Sequence, residues 1–64
     1  MQNLIQDYEM TRRGLLDRIH TINAQLRKSS LQTCERETLE RRREILTAES
    51  IDVMHIIIDL REHL

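Results

Sequence analysis

Ile51-Asp52-Val53-Met54-His55-Ile56-Ile57-Ile58-Asp59-Leu60 carries seven apolar residues in ten, and they cannot all share one face of a helix. At about 100° per residue, Val53, Ile57 and Leu60 project to one side, Ile51, Met54 and Ile58 to a second, and Ile56 lies beside the first. A helix in water that is apolar most of the way round needs cover on more than one side. A single helical neighbour from the same chain supplies one side only. The remaining cover is expected from another copy of the chain or from a different protein.

Composition sets the architecture. The chain has 64 residues, no proline, one glycine, no phenylalanine or tryptophan, and 33% charged residues, which favours long helices over sheet. An all-α fold in one domain, residues 1–64, is expected. A core this small gives only a few kcal/mol of stability, and disulfides, metals or oligomerisation usually supply the rest. Cys34 is the lone cysteine, so no disulfide forms within the chain, and a single thiol fits a reducing, cytoplasmic setting. The opening residues MQNLIQDYEM lack the basic region and apolar run of a secretory signal. No apolar stretch approaches the roughly 20 residues that span a bilayer. With ten basic and eleven acidic residues, net charge −1, nothing in the bulk charge draws the chain to nucleic acid or an anionic membrane.

Two helices and a turn follow from periodicity. Leu4, Tyr8, Thr11, Leu15, Ile19, Ile22 and Leu26 recur three or four apart and form one helical stripe, widened by Ile5 and Leu16. The first helix is expected over about residues 2–28, the turn over about 29–33, and the second helix over about 34–63. Thr33 is the expected N-cap of the second helix, with Glu35 and Glu37 in its first turn, where the helix dipole favours negative charge. Gly14 interrupts the first helix as a kink, a close-contact site or a tolerated surface residue. In the second helix Leu39, Leu46, Val53 and Leu60 repeat at seven, joined by Ile57 and Leu64, with Arg42, Glu49 and Ile56 at the adjoining seam position.

A short turn makes the helices antiparallel neighbours. With the turn near Leu31, equal rise per residue sets Ile22 opposite Leu39, Leu15 opposite Leu46, Tyr8 opposite Val53 and Leu4 opposite Ile57. Arg12 then comes level with Glu49, and an ion pair between them is expected because an unpaired charge at that seam is costly. The hairpin leaves Ile51, Met54 and Ile58 without cover. Self-association is therefore expected, with a dimeric four-helix bundle as the simplest closure.

Chemistry-bearing residues are few. Arg41-Arg42-Arg43, with Arg36 and the nearby Arg12-Arg13, has the guanidinium forks that suit phosphate and carboxylate. Glu35, Glu37, Glu40 and Glu44 interleave with them at helical spacing, the pattern of a solvated, salt-bridged face. Arg12, Arg13, Arg42 and Arg43, gathered at subunit contacts, are the candidate anion-binding residues. Stacking aromatics and a helix-turn-helix of short helices are missing, which disfavours nucleic acid. Asp52, His55 and Asp59 offer weak metal-ligand spacing, and no metal or cofactor is expected. Cys34 at a helix start lacks a partner base and an oxyanion site, so the chain is expected not to be an enzyme. Asp52, Asp59 and Glu62 beside the apolar segment oppose docking on an anionic membrane. The candidate partner or oligomer interface is Ile51, Met54, Ile58 and Leu64, with apolar anchors at helical spacing. The expected function is a small protein-binding or regulatory module, an inhibitor or adaptor; the alternative is an oligomeric binder of a small anionic or nucleotide ligand.

Overall fold

In the computed structural model, which describes residues 2–28 and 30–63 and their side chains from residue 4 onward, the chain forms helix α1 (Gln2–Leu26) and helix α2 (Thr33–Glu62). No strand occurs among the described residues. The helices pack along one another as an antiparallel hairpin with Cα extents of 48 × 14 × 11 Å. Threonines inside the helices satisfy their hydroxyls locally: Thr11 donates to the Asp7 carbonyl at 3.0 Å and Thr47 to that of Arg43 at 2.7 Å. This back-bonding is how a helix accommodates side chains that otherwise prefer caps.

The turn is closed by an arginine. Arg36 Nη1 donates to the Leu26 carbonyl at 2.9 Å and Nη2 to that of Lys28 at 3.3 Å. The last carbonyls of a helix have no partner within it, and a cation near them also opposes the negative end of the dipole. Arg36, one turn into α2, therefore caps α1 and ties the two helices together across the turn. The cap of α2 differs from expectation: Gln32, not Thr33, holds the extended N-cap conformation, and its side chain makes no cap hydrogen bond. Its carbonyl accepts the Arg36 backbone N–H at 3.0 Å, the first hydrogen bond of α2.

The seam of α2 is also rotated from the expected one. Leu39, Leu46, Val53 and Leu60 are half-buried as one row, but Arg42, Glu49 and Ile56 are exposed. The companion row is Arg36, Arg43, Ser50 and Ile57, with Ser50 and Ile57 each only 6% exposed and the two arginines half-buried. Ser50 fits because its small side chain allows close approach while Oγ donates to the Thr47 carbonyl at 2.8 Å, so no buried hydroxyl is left unsatisfied. Arginine fits because its apolar stem covers the seam and its head reaches the edge. On α1 the same substitution of roles occurs. Leu15 and Ile22 are buried, Ile5, Tyr8, Ile19 and Leu26 half-buried, while Leu4 and Thr11 are exposed and Arg12 takes the seam position beside Thr11.

Register shifts accordingly. Arg43 Nη1 donates to Asn23 Oδ1 at 2.9 Å, although Leu39 was expected near that level, and Arg61 pairs with Glu9, expected near the Tyr8–Val53 level. Side chains on both helices lean toward their own N-termini. In an antiparallel pair, contacting residues therefore carry higher numbers than residues at equal backbone height, and long arginine stems extend the difference. The expected Arg12–Glu49 pair does not form: Glu49 is exposed, and the ion pair among the described residues is Arg61–Glu9. Gly14 is exposed, and a methyl group added there would meet nothing within 4 Å. It is a tolerated surface glycine rather than a close-contact site.

Candidate functional site

Because α1 covers only one side of α2, apolar residues flank the seam on both edges. On the first flank, Ile51 is 44% and Ile58 45% exposed, with Met54 half-buried between them. Spacings of three, four and seven put these side chains on one face of α2. Leu16 of α1 borders the same flank and is exposed. Leu64, grouped with these residues by its spacing, lies outside the described residues.

The opposite flank is the feature that the periodicity of α2 hid. Ile45 is 53% exposed and, with Leu46 and Arg42, forms a shallow depression of about 440 Å³ against Arg18, Thr21 and Ile22 of α1. Ile56, exposed and three turns further along, continues this side beside Leu60. Sequence reasoning assigned Ile56 to the seam and passed over Ile45, which stands alone after the charged run Arg41–Glu44. Its signal is the eleven-residue step to Ile56, three helical turns that return to the same face.

The four candidate anion-binding arginines separate within the hairpin. Arg42 lies on the Ile45 flank, and Arg43 is half-buried and bonded to Asn23. Arg12 and Arg13 instead share a cleft of about 320 Å³ on the Met54–Ile58 flank with Arg61 and Glu9. The Nε of Arg12 is buried and has no hydrogen-bond partner, a rare state for an N–H donor. Arg61 reaches Glu9 across the mouth of this cleft from the exposed end of α2. Its membership was missed, though Met54, Ile58 and Arg61 step by four and three along one face.

Other candidates remain dispersed. Asp52, His55 and Asp59 are exposed, and no cluster of three His, Cys, Asp or Glu side chains arranged to hold a metal occurs among the described residues. Cys34 is exposed, with Sγ 3.9 Å from the Gln32 side-chain oxygen, and no His, Asp or Glu among the described residues hydrogen-bonds to it. Among the described residues no helix is long and apolar enough to cross a membrane. Compared with known proteins, the chain matches no family model, no curated protein and no solved structure.

Proposed function

We propose that this chain is a protein-interaction module, a helical hairpin that self-associates into a bundle, four helices in the dimer, and regulates or adapts another protein through the apolar flank left open. The observation that carries this reading is surplus exposed surface. The hairpin exposes 5282 Å² at a mass of 7.7 kDa, where a compact monomer of that mass exposes about 4,300 Å². The difference, roughly 1,000 Å², is close to the area of about 800 Å² that one partner contributes to a standard protein interface. Exposed isoleucines on both edges of α2 give that surface an apolar character, and patches of this kind mark sites of association.

Aspartate substitutions at Ile45 and Ile58, one on each flank, test it by molar mass and thermal unfolding. One variant is expected to fall to a single chain and lose stability, because it buries an unpaired carboxylate in the contact. The other is expected to keep the parent mass and to mark the flank open to a partner. If both variants keep the parent mass, neither isoleucine flank is the self-contact and the reading fails.

A second reading, binding of a small anionic ligand, is supported by Arg12, Arg13 and Arg61 lining one cleft at the end of the Met54–Ile58 flank. That cleft is built from residues of one hairpin, in contrast to the expected gathering of four arginines at subunit contacts.

A further inference from the structure

We infer that a second copy of the chain docks on the Ile45 flank, with the two α2 helices antiparallel about a two-fold axis near Ile45. The inference rests on the self-association reading and names its contact. The Met54–Ile58 flank is then the one left open to another protein.

The Ile45 flank is shaped along its length. The depression beside Ile45 adjoins a second one of about 400 Å³ nearer the turn, where Leu31, Cys34, Thr38 and Leu39 contribute to the lining, and Arg42 borders both. Arg42 stands three residues before Ile45 and Glu49 four after it, so all three lie on one face of α2. Arg42 and Glu49 are exposed, and the ion pair among the described residues, Arg61–Glu9, uses neither.

Charge sets the direction and the register of the contact. In a parallel pairing of α2 with its copy, Arg42 meets Arg42 and Glu49 meets Glu49, and like charges across an interface oppose binding. Antiparallel pairing about Ile45 puts Arg42 beside the partner's Glu49, and the two-fold symmetry repeats the pair. Arg18 of α1 lines the same depression and adds a second cation near that carboxylate. The partner's Ile56 then comes level with Glu35 to Thr38, over the second depression. Sliding the axis to match Ile45 with the partner's Ile56 sets Glu49 against the partner's Asp52. The isoleucines alone permit both registers, and the carboxylates reject the second.

Length favours the same flank. Ile45 lies close to the midpoint of α2 (Thr33–Glu62), so helices paired about it overlap for about 40 Å. Across two helices, each about 10 Å wide, that overlap covers about 800 Å² per partner, the size of a standard interface. On the other flank Ile51 and Ile58 centre near Met54, and α2 paired with its copy there overlaps for only about 24 Å. The charges of α2 along that edge, Glu40, Glu44 and Glu62, share one sign, and Arg61 is engaged by Glu9.

Molar mass of the full chain by light scattering, across a range of concentrations, tests the contact through Arg42→Glu and Glu49→Arg. Each variant alone sets like charges at both symmetry-related pairs and is expected to weaken dimerisation about tenfold or more, with a smaller effect at high salt. Mixed one to one, the two variants are expected to form a heterodimer about as tight as the parent, because both pairs then join opposite charges. Circular dichroism on the same samples keeps the test readable: where a single variant unfolds as it dissociates, mixing restores helicity together with mass. A dimeric parent whose variants associate as tightly as it does, or show no gain on mixing, would overturn the Ile45 contact while self-association stands. A parent chain that stays monomeric at every concentration would overturn both and leave the flank to a different protein.

Discussion

Arg36, Arg43 and Arg12 occupy positions that a simple apolar pattern reserves for leucine or isoleucine, and each resolves its charge differently. Arg36 spends its guanidinium on the Leu26 and Lys28 carbonyls, Arg43 on the Asn23 side chain, and Arg12 leaves Nε without an acceptor. The Arg36 clasp has a measurable consequence. Arg36→Ala removes two charge-assisted bonds at a partly buried turn and is expected to lower folding stability by about 1 to 2 kcal/mol, read as a shift in urea midpoint. Arg36→Lys, which keeps the charge without the fork, should recover only part of it; an alanine variant as stable as the parent would show that the turn does not depend on the clasp. These residues explain why the arginines resisted sequence reading. Their charge marks them as surface, while the hydrocarbon stems that fill the seam leave no trace in a hydrophobicity pattern.

Helix by helix, the stripe in α1 and the seven-residue leucine row in α2 were legible because four or more apolar residues reinforce one period. The choice of companion row was not. Positions three residues after the leucines (Arg42, Glu49, Ile56) and positions four after them (Arg43, Ser50, Ile57) fit the helical period equally well, and each set holds one isoleucine. Ser50 decided the matter through its size and its local hydrogen bond to Thr47, neither of which is a hydrophobic signal. Ile57→Ala is accordingly expected to cost about 2 to 4 kcal/mol, enough to unfold so small a domain, and Glu49→Ala to stay within about 0.5 kcal/mol of the parent. Comparable losses at the two positions, measured by thermal unfolding followed by circular dichroism, would restore the other seam. On the outer face of α1, Gly14→Ala meets open space and is expected to stabilise the protein by about 0.5 to 1 kcal/mol through backbone entropy and helix propensity. A loss of stability there would reveal a neighbour packed against the back of α1.

At the scale of the whole molecule, an elongated shape makes the body too open for its mass. Beside the surface excess, the radius of gyration is 14.9 Å, against about 11 Å for a compact domain of this length. Among the described residues only Leu15, Ile22 and Ile57 are buried as apolar core, so one hairpin has little interior of its own. The apolar surround of Ile51 to Leu60 announced that shortage in the sequence; the second flank at Ile45 became visible only once α1 had a fixed position. Self-association is the central claim, and absolute molar mass by light scattering coupled to size exclusion, across a wide concentration range, tests it most directly. The account predicts a stable mass of two or more chains with full helicity. A folded chain of 7.7 kDa at every concentration would contradict it.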